Sequence, residues 1–203
     1  MQEKTEPKSS SVRTNKSRTE ATRAALITAA RELFAENGYA ATSTPEIVKA
    51  AGVTRGALYH HFEDKLAIFR AVLTAEFAAV ANAIEARAST APESAIAALM
   101  EGSRGYLNAM QDPGRVRIML LEGPAVLGQH EVDEIDRASS ADSLRDGLAS
   151  AIQAKQIKPL PLAALTTQLS AVFDRAALAI SRGDSPEDHL AVIDALLTSL
   201  AST

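Results

Sequence analysis

Between Gly38 and Lys65 the chain reads GYAATSTPEIVKAAGVTRGALYHHFEDK, and this stretch decides the fold. Ser43 and Glu46 have the spacing of a capping box, in which each side chain satisfies a free amide at a helix start. Pro45 falls inside the first turn, where its missing N–H costs little. The helix so begun is short, from about Thr44 to Ala51, because Gly52 breaks it. Thr54 is placed to cap a second short helix that runs to about His61. Ile47, Val53 and Leu58 are spaced to meet inside the angle between the two, and Gly52 tolerates the left-handed backbone of a sharp turn. These are the features of a helix-turn-helix. Its second helix is free to lie in a major groove, with Arg55, Gly56, Tyr59 and His60 at its outward positions.

Working outward, the spacing of Leu26, Ile27, Ala30, Leu33 and Phe34 predicts a helix that starts near Ser17 and stops at Gly38. Ahead of it, residues 1–17 are polar and lack an apolar face, which predicts a disordered tail. After the helix-turn-helix, Asp64 caps a helix carried towards Arg87 by Leu66, Phe69, Leu73, Phe77, Val80 and Ile84. Thr90 and Glu93 open a helix to about Met110, and Asp112-Pro113-Gly114 is a turn. A short helix at Arg115–Leu121 stops at Gly123-Pro124, and residues 131–156 read as one helix. Pro159 and Pro161 precede a long helix to about Arg182, and Ser185-Pro186 starts the last. The expectation is an all-α fold of about nine helices with no sheet. A helix-turn-helix domain occupies residues 18–65, and a helical ligand-binding and dimerisation domain occupies 66–203.

Composition agrees with this. Hydrophobic residues make up 46% and charged residues 23% of the 203, enough for a core. Alanine dominates the apolar set, which favours closely packed helices. The absence of cysteine excludes disulfides, thiolate metal sites and cysteine nucleophiles. No apolar run approaches the roughly 20 residues of a membrane span, and the N-terminus lacks a signal-peptide core, so the chain reads as cytoplasmic. The net charge of −4 divides unevenly. Residues 1–65 hold ten basic and eight acidic side chains, whereas 66–203 hold eleven and seventeen. A basic head on an acidic body directs polyanion contact to one end.

The stretch 38–65 resembles the DNA-binding signature of the TetR family of repressors: an aromatic after a glycine, a Thr-Ser pair, Ala-Gly-Val-Thr, Gly-x-Leu-Tyr, then His-Phe and a lysine. The preceding helix, ending Ala-Ala-x-x-Leu-Phe, fits as well, so that the close match covers about 50 residues from Thr19 to Leu73. The resemblance implies that Ser43 and Thr44 donate to phosphates at a helix N-terminus. It implies that Thr54, Arg55 and Gly56 open the recognition helix, with Arg55 reading a base edge. Tyr59 and His60 would touch backbone or a thymine methyl, and Lys65 would pair a phosphate. Leu58, Phe62 and Val53 read as core. Pro45, where relatives often carry a basic residue, and Val48, where alanine is usual, depart from the pattern.

For the rest of the chain the resemblance implies a ligand pocket and a homodimer built on the last two helices. Phe77, Met100, Tyr106, Met110, Met119, Glu122 and Phe173 are the pocket candidates, which lean towards an apolar or aromatic effector pressed on the fourth helix around Phe69–Phe77. Leu165, Leu169, Val172 and Ala176 form one candidate dimer stripe; Leu190, Ile193, Leu197 and Leu200 form the other. The segment LEGPAVLG, 121–128, reads equally as a hinge or a stop. No phosphate loop, nucleophile elbow or metal-binding histidine pair appears, so neither catalysis, a cofactor nor a metal is expected. The function implied is a repressor that binds a palindromic operator as a homodimer and is released by a small molecule. An activator or an architectural DNA-binding protein without a ligand is the alternative.

Overall fold

The computed structural model describes residues 9–90, 94–139 and 143–202, with side chains from Lys16 onward except at Ser139. Among these residues the helices are α1 (Ser9–Asn37), α2 (Thr44–Ala51), α3 (Arg55–His61), α4 (Lys65–Ala88), α5 (Ala95–Ala109) and α6 (Pro113–Val116). A π-helical turn (Arg117–Glu122) follows, then α7 (Gly123–Leu127), α8 (Gln129–Ser139), α9 (Ser143–Gln153), α10 (Leu162–Ile180) and α11 (Pro186–Ser199). The all-α expectation holds, and no strand occurs among the described residues. The count exceeds nine because residues 113–127 form three short segments rather than one, and 131–156 divides into α8 and α9. Helix α1 starts at Ser9, so the expected tail 1–17 is helical from there, and its first eight residues lie outside the described ones. Ser17, near which the helix was expected to start, sits within α1, and Glu20 faces Lys16 one turn back at 4.0 Å.

The chain divides into two compact units, one ending at Val72 and one beginning at Leu73. The division falls inside α4, not at residue 65, because α4 buries Ile68, Phe69 and Val72 in the first unit's core and Leu73 and Val80 in the second's. Although α4 is long and apolar enough to cross a membrane by composition, this double burial explains its apolar character.

In the first unit, Leu26, Ala30, Phe34, Ile47, Leu58, Phe62 and Phe69 are buried. Phe34 and Tyr39 each meet Phe69 edge-on, with ring centroids 5.3 and 5.1 Å away. Such tilted pairs match the ring quadrupoles and bind beyond their buried area. They fasten the end of α1 and the loop after it to the start of α4.

In the second unit, the core joins α5, α9, α10 and α11 through Leu99, Leu107, Leu148, Ile157, Phe173 and Ile193. Helix α5 also crosses α4 closely at Gly105, where a Cβ would lie 2.6 Å from the Ala83 carbonyl oxygen. Arg115 of α6 reaches Glu76 of α4 at 2.6 Å and donates to the Ala109 carbonyl at 2.8 Å. This pair is largely buried, with 18% and 8% of the two side chains exposed. The π turn just after it is explained by Pro124. A proline cannot donate to the carbonyl four residues back, so the ladder loosens ahead of it. Gly123 N–H reaches the Ile118 carbonyl, five residues earlier.

Candidate functional site

The helix-turn-helix is assembled by local chemistry. Ser43 N–H donates to the Glu46 carboxylate at 2.8 Å, and the Glu46 amide returns to Ser43 Oγ at 3.5 Å, completing the capping box. Hydrogen bonds from the Ser43 hydroxyl and amide hold the Glu46 carboxyl below its ordinary pKa. Gly52 takes the left-handed conformation, φ 65° and ψ 28°, that turns the chain into α3. Thr54 caps α3 by accepting from the Ala57 amide at 3.2 Å. Arg55, Gly56, Tyr59 and His60 are all exposed on α3, and Ser43, Thr54 and Thr44 lie beside them exposed or half-buried.

One turn apart on α3, Arg55 and Tyr59 stack, the guanidinium carbon 5.5 Å from the ring centre. Hydrogen bonding from Thr44 and then Arg55 draws the exposed Tyr59 hydroxyl below its usual pKa. Thr44, Arg55 and Tyr59 are thus held as a polar group on one surface, while Leu58 and Phe62 behind them are buried. Val53 is half-buried.

Lys65 has partners of its own within the unit. Its ammonium donates to the carbonyls of Tyr39 and Thr42 at 2.8 and 2.9 Å and sits 4.1 Å from the Tyr39 ring centre. Two of its three donors therefore hold the loop that leads into α2. Nothing in the spacing of the sequence signals that those two carbonyls converge on it.

The second unit contains a cavity of about 790 Å3. Of the expected pocket residues, Phe77, Tyr106, Met119 and Phe173 line it; Met100, Met110 and Glu122 do not. Met110 is core, 1% exposed, and Met100 packs against the α5–α11 cluster. Glu122 turns to Arg117 at 3.4 Å. The cavity meets α4 from Phe77 to Ala88 rather than around Phe69, which is buried in the first unit's core. The sequence reading also missed its carboxylates: Glu85, Asp133, Asp136, Asp146 and Asp174 are among the lining residues. The i, i+3 pair Asp133 and Asp136 on amphipathic α8 was the available signal.

Comparison with known proteins settles the family. Residues 26–72 match the model of bacterial regulatory proteins of the tetR family, and 96–203 match a tetracyclin repressor-like C-terminal domain. A TetR-family regulator from Pectobacterium atrosepticum is 30% identical with a TM-score of 0.72, over 92% of this chain and 97% of that one.

The chain belongs to the TetR family.

Its relatives include the HTH-type transcriptional repressor Rv1474c of Mycobacterium tuberculosis, 29% identical over 89% of this chain and 93% of that protein. FadR of Bacillus subtilis, solved with stearoyl-CoA, shares the fold at 22% identity and a TM-score of 0.71, covering 88% of this chain and 97% of that one. Other regulators match at 45 and 47% identity over only 62 and 57 residues, so the chain spans less than a third of those relatives' length. Members of the family are DNA-binding regulators rather than enzymes.

In this TetR-family chain the stripes on α10 and α11 pack within the subunit, and three of their residues, Val172, Ala176 and Ile193, also line an open groove. Leu169, Ala176, Ile193 and Leu197 are buried in the subunit core, and Leu165, Val172, Leu190 and Leu200 pack against it. Periodicity reveals that a helix has an apolar face, not which neighbour covers it. Apolar surface is open between α10 and α11, where Val192 and Leu196 are 58% and 41% exposed. A groove of about 450 Å3 runs between them and Ala171, Val172 and Arg175.

Proposed function

We propose that this protein is a ligand-responsive transcriptional repressor, acting in the cytoplasm, that grips a palindromic operator as a homodimer and is released by a small molecule bound in the second unit. The observation that carries the reading is the exposed Thr44–Arg55–Tyr59 group on a capped recognition helix, in a chain that also holds a drug-sized cavity. Arg55 is the base reader. Ser43, Thr44 and Thr54 contact phosphates, with Gly56 allowing close approach and Tyr59 and His60 touching the backbone or a thymine methyl. Lys65 acts by positioning the loop before α2. The open α10–α11 groove is the surface on which a second copy would seat. Two recognition helices about 34 Å apart then match one turn of DNA.

A ligand shifts such a protein off DNA only by as much as it prefers the unbound arrangement. The cavity counts against the purely architectural reading, which gives it no occupant. The test is selection of bound duplexes from a random pool, repeated with Arg55→Ala. A palindrome is expected from the parent, with preference relaxed at one position per half-site by about 1–3 kcal/mol in the variant. Binding without sequence preference favours the architectural protein, and no binding at low salt removes DNA recognition altogether.

A further inference from the structure

An arginine reads a base edge well only when its guanidinium arrives in the right plane. The side chain is long, and its rotamer freedom is lost when it engages a base. A pose already held in the free protein therefore raises affinity for the right sequence and sharpens discrimination. The neighbours of Arg55 on α3 decide whether it is held.

Thr54 cannot serve, because its hydroxyl is engaged by the Ala57 amide at 3.2 Å. Gly56 has no side chain, and a Cβ added there would meet nothing closer than Thr54 Oγ1 at 4.0 Å, so the surface is open at that position. Tyr59, one turn on, does reach Arg55. Helical side chains lean towards the N-terminus, which brings residue i+4 back over residue i. The Arg55 guanidinium carbon stands 5.5 Å from the Tyr59 ring centre. A flat, weakly hydrated guanidinium is well suited to an aromatic face.

The same side chain reaches the other helix. The Tyr59 hydroxyl is hydrogen-bonded with Thr44, the first residue of α2, and with Arg55. Behind this surface Ile47 of α2 and Leu58 of α3 are fully buried and set how the two helices cross. In front, Tyr59 ties the start of α2 to the guanidinium on α3. It does so while 45% exposed, outside the core of the unit.

Resting on the reading of α3 as the recognition helix, we propose that Tyr59 is a positioning residue for base recognition: its ring and hydroxyl hold the Arg55 guanidinium ready for a base edge, in fixed register with the phosphate contacts at the start of α2. This role goes beyond any touch of Tyr59 itself on the DNA backbone, and the two have different signatures. A backbone contact carries no sequence information, so its loss weakens binding to all duplexes alike. Loss of a positioning residue weakens the right sequence more than a wrong one, and matters only while Arg55 is present.

The test uses the full-length protein, the duplex it selects, and the same duplex changed at the base pair whose preference Arg55→Ala relaxes. Fluorescence anisotropy gives both affinities, and their ratio measures discrimination. Tyr59→Phe keeps the ring and removes the hydroxyl, and should lower the ratio by about twofold to threefold. Tyr59→Leu removes both and should lower it by about tenfold. In an Arg55→Ala background, Tyr59→Leu should leave the ratio unchanged, because the two residues act as one unit. The conservative Phe variant keeps the test decisive should the Leu variant fail to fold. An unchanged ratio in both variants, equal weakening on both duplexes, or an effect of the same size without Arg55 overturns the proposal. So does an operator at which Arg55→Ala relaxes no base pair. Failure of the repressor reading looks different: a parent protein that selects no sequence loses both assignments, whereas one whose operator discrimination ignores Tyr59 loses only the positioning role.

Discussion

Replacing Gly105 with alanine would set one methyl group against backbone. A Cβ there would lie 2.6 Å from the Ala83 carbonyl oxygen and 2.9 Å from Ile84 Cα. Ordinary van der Waals contact begins at 3.4 Å, so α4 and α5 must part by about 0.8 Å (3.4 minus 2.6) where they cross. Overpacking of this sort costs about 1–3 kcal/mol, and the obstacle is main chain, which has no rotamer to change. Alanine returns about 1 kcal/mol of helix propensity, leaving a net loss of up to about 2 kcal/mol. Gly102, one turn earlier on α5, supplies the control. Its Cβ would meet only the Ile84 Cγ2 methyl at 3.3 Å and the Ala88 Cβ at 3.9 Å. Ile84 is half-buried and can yield, so Gly102→Ala should be neutral or stabilising by up to about 1 kcal/mol. Urea unfolding followed by far-ultraviolet circular dichroism measures both. A Gly105→Ala protein at least as stable as Gly102→Ala refutes the argument that backbone contact sets the spacing of these two helices.

Two further outcomes follow from the buried charges. Arg115→Met leaves Glu76 buried without its guanidinium partner, which should cost about 3–5 kcal/mol. For a chain of this size that is a fall in Tm of roughly 6–20 °C by calorimetry, partly restored by adding Glu76→Gln. Asp174, whose carboxyl is raised mainly by burial and then by Asp136 and Asp133, has the opposite sign. Its folded pKa exceeds the unfolded one, so the native state holds the proton longer. Its contribution to stability is complete below about pH 4 and declines as pH rises through the folded value. Asp174→Asn removes that decline. The Tm difference between variant and parent should grow in the variant's favour from acid to neutral pH, and a difference that shrinks over that range contradicts the assignment.

How much was legible from residues alone depended on how local the controlling interaction was. The helix-turn-helix is written in short-range chemistry: Ser43 with Glu46, Thr54 with Ala57, and Gly52 at its turn all act within four residues. Less was legible where the partner is distant in sequence. Lys65 meets carbonyls 23 and 26 residues away. The stripes on α10 and α11 have the right periodicity, but which stripe faces the subunit core depends on how these helices roll against α5 and α9. The pocket candidates are methionines and aromatics with one carboxylate, Glu122, a criterion that finds soft walls and little of the charge. Asp174 and Asp136 lie 38 residues apart, so their common field around Tyr106 arises only when α8 and α10 fold together.

The π turn at Arg117–Glu122 has a mechanical consequence. It accommodates one residue more per turn than its α-helical surroundings, so the chain after it runs out of phase with the chain before. Closing that turn to α geometry would rotate everything downstream by about 100° and advance it by about 1.5 Å. Upstream, Arg115 is anchored to Glu76. Within and after the turn, Met119, Leu120 and Pro124 lie on the cavity wall. A molecule filling the cavity therefore presses on a ratchet with one tooth to give, fixed at one end and loaded at the other.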